Sequence, residues 1–246
     1  MLWNEGSLQL ESDTRKVEPL LDVLEDEQLG VNYYALDLCG EDLQKNMCRL
    51  NSKYTSLQCF GLWGDFSDGL KWCSRMRSPR LFLSLGSTFA NGRWDNAVAR
   101  LCQWVDLMTE EDFMLFGLDS HGPGNVAKVW KSYHDTAGLF RRFLWNSLNC
   151  TNTLLGSEHF QQGDWKLEAS MDSDKVPVRH RFGFVAQRDV AIPEAGLYFP
   201  KCTKITCYES TKYSESMMRK LCDAGGLEIL HMWKAENSEV RKSTLS

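Results

Sequence analysis

The 246-residue chain is long enough for one large domain, or for one domain carrying a sizeable insertion. Its 43% hydrophobic and 25% charged residues are ordinary for a soluble globular protein, and a net charge of -5 argues against nucleic acid as the main partner. No apolar run approaches the roughly 20 residues that cross a bilayer, and the nine cysteines include no CxxC pair, which suits reduced thiols in a cytosolic protein.

In chain order, residues 16–27 place Val17, Leu20, Leu21 and Leu24 on one helical face. The run Val31 to Asp37 reads as a buried strand ending on a carboxylate. Glu41 to Tyr54 reads as a helix with Leu43, Met47 and Leu50 inward, and Leu57 to Trp63 as a continuous apolar strand that breaks at Gly64-Asp65-Phe66. A short helix (Leu70 to Met76), a buried strand (Arg80 to Leu85), an amphipathic helix (Trp94 to Met108) and a strand (Asp112 to Asp119) follow. This alternation suits right-handed βαβ crossovers and a parallel sheet.

After Asp119 the rhythm changes. His121-Gly122-Pro123-Gly124 is a break, and one long helix, about Val126 to Ser147, follows without an intervening strand. Trp165 to Ala169, Arg179 to Ala191 and Ile205 to Glu209 alternate as antiparallel strands do. A helix returns at Ser214 to Ala224, followed by a strand at Leu227 to Trp233, and the last dozen residues read as disordered. The expected organisation is an α/β core, 1–122 and 212–246, shortened at both ends and interrupted by an inserted α+β unit, 123–211.

Three strand ends converge at one rim of this sheet: Asp37, Gly64-Asp65-Phe66, and Gly86-Ser87-Thr88 with Asn91 behind. Ligands of open α/β sheets sit beyond the carboxyl ends of the strands. An acidic residue at the end of the second strand is placed to accept from both hydroxyls of a ribose. Asp65 is suited to an exocyclic amino group, Phe66 to a purine face, and Gly86 to close backbone approach. Each is weak alone, because a strand-ending Asp is as often a helix cap or turn residue. The five histidines show no ligand spacing such as HExxH, so no metal is expected.

Tyr33-Tyr34-Ala35-Leu36-Asp37, Gly64-Asp65-Phe66, Leu85-Gly86-Ser87-Thr88-Phe89-Ala90-Asn91 and Tyr133-His134-Asp135-Thr136-Ala137-Gly138 occur in one order. In this the chain resembles the histidine-specific methyltransferase family. It is similar in particular to the fungal dimethylallyltryptophan N-methyltransferases of ergot-alkaloid pathways, through Lys212-Tyr213-Ser214 and Arg15-Lys16-Val17. The resemblance implies a Rossmann-like class I methyltransferase core with an inserted substrate lid, S-adenosylmethionine as cofactor, and N-methylation of a small amine. It implies that Lys16, Asp37, Gly64, Asp65, Phe66, Gly86 and Ser87 serve the cofactor. Asn91 and Tyr133 are the implied catalytic pair, orienting the amino and carboxylate ends of an amino-acid substrate; Tyr208 and Ser210 are the further implied substrate-binding residues. The structural alternatives are Tyr133 as a helix residue packing the core and Asn91 as a helix cap.

Two departures from the family pattern bear on activity. Where the family carries an acidic residue and then Leu-Gly-Ser-Gly, this chain has Leu8, Gln9, Leu10, Glu11 and Ser12. Where it continues into a final antiparallel strand, Lys234 to Ser246 is mostly charged. Tyr208 stands at the acid that faces the imidazole in the histidine enzymes, and its neighbour Glu209 points to the opposite face of the strand. An aromatic or otherwise modified amine is therefore the expected substrate rather than histidine. The competing reading is a catalytically impaired remnant lacking the glycine turn. A nicotinamide-dependent oxidoreductase fits Asp37 but lacks GxGxxG. No nucleic-acid or membrane partner is expected, and the oligomeric state stays open.

Overall fold

The apolar runs of the first half of the chain are parallel strands of one sheet. The computed structural model describes residues 7–9, 14–119, 126–172, 177–234 and 241–245. In chain order they form β1 (Ser7–Gln9), a 3-10 turn (Thr14–Lys16), α1 (Glu18–Asp26), β2 (Asn32–Asp37), α2 (Gly40–Lys53), β3 (Gln58–Trp63), α3 (Phe66–Cys73), β4 (Leu81–Ser84), α4 (Trp94–Val105) and β5 (Phe113–Leu118). Then come α5 (Val126–Tyr133), α6 (Leu139–Leu155), β6 (Trp165–Asp172), β7 (Val178–Ala186), β8 (Val190–Ile192), β9 (Leu197–Phe199) and β10 (Lys204–Lys212). The chain closes with α7 (Glu215–Gly225), β11 (Ile229–Lys234) and β12 (Arg241–Leu245).

Two compact units result: residues 1–120 with 215–246, and residues 121–214. The first holds a seven-stranded sheet in the order β11-β12-β5-β4-β1-β2-β3, in which β1 to β5 are parallel and β12 runs antiparallel to both neighbours. Strand order reverses between β1 and β4. That reversal leaves a crevice beyond their carboxyl ends, where open α/β sheets take their ligands. On one face α1 and α2 bury Val17, Leu21, Leu43, Met47 and Leu50 against Tyr33, Ala35 and Cys59 of β2 and β3.

The second unit is a three-stranded antiparallel sheet, β10-β7-β6, with a small β8–β9 hairpin. Leu144, Trp145 and Leu148 of α6 bury against Trp165, Phe182, Phe184 and Ala186. The inward residues of β7 are Val178, His180, Phe182, Phe184 and Ala186, the period-two pattern of a strand with one covered face.

β3 is an edge strand: Trp63 is 79% exposed, and the Asn51 side chain occupies the outer edge by bonding both the N–H (2.9 Å) and the C=O (2.8 Å) of Cys59. Two expectations are corrected. The helix expected to run unbroken from Val126 is two. Gly138, in the left-handed region at φ 66°, turns the chain, and the Asp135 carboxylate accepts from the amides of Leu139 (2.7 Å) and Phe140 (3.0 Å) to start α6. Residues 241–245, expected as a disordered tail, form β12 by backbone pairing on both sides, so the final antiparallel strand is present. Leu8 and Gln9 lie in β1, while Leu10, Glu11 and Ser12, where the glycine turn was expected, lie outside the described residues, as do His121 to Gly124. No described helix is long and apolar enough to cross a membrane.

Candidate functional site

Beyond the carboxyl ends of β2 and β3 the first unit carries a cavity of about 270 Å³ lined by Leu36, Asp37, Leu38, Gly64, Asp65, Phe66 and Thr88. Parallel pairing sets Asp37 directly opposite Trp63, so the two strands end together and their following turns face one space. Asp37 Oδ1 accepts from the Cys39 amide at 2.7 Å, which fixes the carboxylate in the wall.

Asp65 begins α3. Its Oδ1 accepts from the amides of Ser67 (2.8 Å) and Asp68 (3.0 Å), while Asp68 Oδ2 accepts from the Asp65 amide, a reciprocal capping box. The Asp65 amide, first of its causes, holds the Asp68 carboxyl below its usual range. Gly64 admits no side chain as the turn stands, since a Cβ there would meet Asp68 Cβ at 2.9 Å. Phe66, half-buried, meets Phe89 edge-on at 5.9 Å.

The loop after β4 supplies Thr88 to the lining. Ser87 sits at φ 63°, a left-handed conformation that costs a non-glycine residue, and its Oγ accepts from the Asp119 amide at 2.8 Å. The bond ties this loop to the end of β5. Arg100 of α4 braces it from behind: Nη1 donates to Phe89 O at 2.5 Å, and its guanidinium lies over the rings of Phe66 and Phe89. Gly86, Ser87 and Asn91 flank the lining without entering it, and Lys16 stands exposed at the end of the 3-10 turn.

The lining fits an adenosyl group. It offers carboxylate acceptors for ribose hydroxyls and an amino group, and a ring for a base.

The second unit gathers the other predicted residues on one face of its sheet. On β10, Tyr208, Ser210 and Lys212 fall on one side by the two-residue period. Lys212 Nζ donates to Tyr133 Oη at 2.8 Å, and Tyr133 Oη donates to Ser210 Oγ at 2.7 Å. A lysine supplies only donors, so the tyrosine proton is directed onto Ser210 and the Ser210 proton is left to give onward. Tyr208 lies near Phe140 and Phe182, 6.2 Å from Tyr133 between ring centres. Glu209 turns to the opposite face and pairs with Arg181 at 2.9 Å.

Two residues absent from the sequence-level set belong with these. Lys212 was visible through the period linking it to Ser210. His180 sits directly opposite Ser210 on β7, but a single histidine in an apolar strand gives no local signal. Among the described residues no cluster of three metal-ligating side chains occurs.

Comparison with known proteins bears on the whole chain. A family model described as "Histidine-specific methyltransferase, SAM-dependent" matches residues 11–246. The ergothioneine biosynthesis protein 1 of Neurospora crassa is 30% identical over 226 residues, covering 91% of this chain and 25% of that protein. The 4-dimethylallyltryptophan N-methyltransferase easF of Aspergillus fumigatus is 27% identical over 241 residues, covering 92% of this chain and 69% of that one. The chain thus spans a quarter of the first relative's length and about two thirds of the second's. Among solved structures, the mitomycin 7-O-methyltransferase MmcR shares the fold at a TM-score of 0.51 and 11% identity, over 98% of this chain and 48% of that one. A parallel sheet with its acidic strand ends in register, matched by the family over nearly its whole length, leads to one conclusion: the chain belongs to the histidine-specific, S-adenosylmethionine-dependent methyltransferase family.

Proposed function

We propose that this chain is an S-adenosylmethionine-dependent N-methyltransferase acting on the amino group of a small, amino-acid-derived metabolite, aromatic or modified, in fungal secondary metabolism. The observation that carries the reading is the cavity wall of Asp37, Asp65 and Phe66 in a chain of this family. In this reading Asp37 holds the ribose, Asp65 and Phe66 the adenine, and Gly64, Gly86 and Ser87 carry the backbone close to the ligand, with Lys16 at the cofactor's outer side. The residues from 123 to 211 form the substrate side, where Tyr133, Tyr208 and Ser210 receive the acceptor. Asn91 and Tyr133 orient its amino and carboxylate groups.

Bound S-adenosylmethionine supplies a methyl group that is already activated. The residues therefore need only to present a neutral amine in line with it and exclude water. Alignment of this kind is worth roughly 7–11 kcal/mol in the best intramolecular models. The donor chain from Lys212 through Tyr133 to Ser210 suits an acceptor group such as a carboxylate, and the amine proton passes to solvent.

Incubation with S-adenosylmethionine labelled in its methyl group, and a panel of L-histidine, L-tryptophan and tryptamine, is the test. Label should appear on the amine of an aromatic member, with Tyr133→Phe raising KM at least several-fold. A second reading, a chain that keeps the fold without turnover, is favoured by the glycine-free run Leu8 to Ser12. Cofactor binding without transfer to any amine would support that reading instead.

A further inference from the structure

The edge strand β3 carries no charge along its whole length. It reads Gln58-Cys59-Phe60-Gly61-Leu62-Trp63, and no strand among the described residues pairs with its outer side. The Gln58 amide donates to Val31 O (3.2 Å) and the Gly64 amide to Asp37 O (3.1 Å), so the even-numbered residues bond β2. Alternate residues of a strand turn their N–H and C=O to opposite sides, which points those of Cys59, Gly61 and Trp63 outward. Asn51 takes both groups of Cys59. Those of Gly61 and Trp63 remain open to another strand.

The helix above this edge is neutral in the same way. Gly40, Leu43, Gln44, Met47, Cys48 and Asn51 form one stripe of α2 and, with Gly61 and Trp63, line a cavity of about 480 Å³. None of the stripe is charged, although the helix carries Glu41, Asp42, Lys45, Arg49 and Lys53. Edge strands are usually blunted by charged side chains, proline or a bulge, and β3 has none of these. Trp63 is the projecting part of the edge. Its indole Nε1 donates to Leu38 O at 2.9 Å, and its ring lies 3.7 Å from where a Cβ of Gly40 would stand. A ring held this way loses little freedom when covered, and its N–H needs no new partner. Gly61, two residues earlier on the same face, is the flat part: Leu43 lies where its side chain would, 2.7 Å from a Cβ. A projecting ring beside a flat glycine is complementary to itself under a two-fold rotation.

We propose that β3 is a homodimer interface, in which the β3 edges of two copies of this chain pair antiparallel and join their sheets. Gly61 of one protomer faces Trp63 of the other in a hydrogen-bonded pair, and Leu62 meets Leu62 at the two-fold axis. This register uses the N–H and C=O of both open residues in each protomer. It leaves Cys59, already bonded by Asn51, beyond the pairing. A register with Gly61 on the axis would instead set Trp63 against the blocked Cys59. Each Trp63 ring stands beside the other protomer's Gly61 and fills the cavity along its α2, as aromatic side chains cover glycines in paired strands.

Sedimentation equilibrium of the whole chain is the test. At micromolar concentration the parent should weigh two chains, where one is 28.2 kDa. Trp63→Lys, at an exposed position, should keep the fold and weaken association at least about thirtyfold, the loss of an anchoring tryptophan. Gln44→Lys puts a charge on the neutral stripe and should weaken it about tenfold. Lys45→Gln, on the same helix outside the stripe, should change nothing. The register has its own reading. Residues facing each other in a non-hydrogen-bonded pair have Cα atoms about 4.5 Å apart, within reach of a disulfide. Mild oxidation of Leu62→Cys should therefore give a dimer that peptide mapping shows linked through position 62 of both chains. Phe60→Cys should not link to itself, because the register sets it opposite Gly64. A parent that remains a single chain at micromolar concentration would leave the edge to a strand of another protein and overturn the proposal. So would a dimer that survives Trp63→Lys, or a Leu62→Cys dimer without the link at position 62.

Discussion

Asp65 lines the cavity beyond β2 and β3 and also caps α3, and the two roles separate by substitution. Asp65→Ala removes the cap and should lower stability by about 1 kcal/mol in denaturant unfolding. Asp65→Ser restores a capping oxygen and should leave stability close to the parent's. Both variants should bind S-adenosylmethionine about tenfold more weakly; if Asp65→Ser binds like the parent, the carboxylate serves the helix alone. For His180 the sign of the pH effect follows from a pKa lowered from 6.5 to about 4 in the folded chain. Its contribution to stability is whole above about pH 6.5 and declines as pH falls toward 4, because the unfolded chain binds the proton first. Each unit of displacement is worth about 1.4 kcal/mol. Melting curves of the parent should therefore steepen their fall relative to His180→Phe across this window, and parallel curves would show a ring that is free to protonate. Asp37 and Gly64 to Phe66 were legible because each ends a strand. His180 was not, because the rings packed on it, Trp130 and Tyr133, come from about 50 residues earlier in the chain.

At the scale of elements, β4 and β5 are locked at their amino-terminal ends by a buried pair. Arg80 Nη2 lies 2.6 Å from Asp112 Oδ2, and the Asp112 carboxylate also accepts from the amides of Arg80 (2.7 Å) and Thr109 (2.8 Å). Burial alone would raise the Asp112 pKa, but the Arg80 hydrogen bonds and the two amides outweigh it and hold the carboxyl below its usual range. Asp112→Ala strands a buried guanidinium and should cost about 3–5 kcal/mol in urea unfolding. A loss under 1 kcal/mol would mean that water reaches Arg80. The helices and parallel strands were legible from their apolar periods. The break between α5 and α6 was not, because the Asp135 cap and the left-handed Gly138 interrupt a continuous helical pattern without a proline. Nor was β12: its residues carry no apolar alternation, and the strand is defined by backbone pairing to β5 and β11. Trp63, an apolar residue at the end of an edge strand, remains exposed.

Taken whole, the molecule divides its chemistry between two units with separate cores. The first offers carboxylates and an aromatic ring beyond the carboxyl ends of β2 and β3; the second offers an aromatic cluster around a directed donor chain. The α/β class was legible because each parallel strand is a short apolar run followed by a helix, a pattern few other folds share. The cluster of Tyr133, His180 and Ser210 was not, because it depends on side chains of α5, β7 and β10 converging on one face of a sheet. The central claim is that Asp37 and its neighbours bind S-adenosylmethionine, and calorimetric titration of the parent chain and of Asp37→Ala tests it most directly. The account predicts micromolar binding by the parent and at least tenfold weaker binding by the variant, with both proteins equally folded. No heat from the folded parent up to millimolar cofactor, or equal affinity in the two proteins, would contradict it.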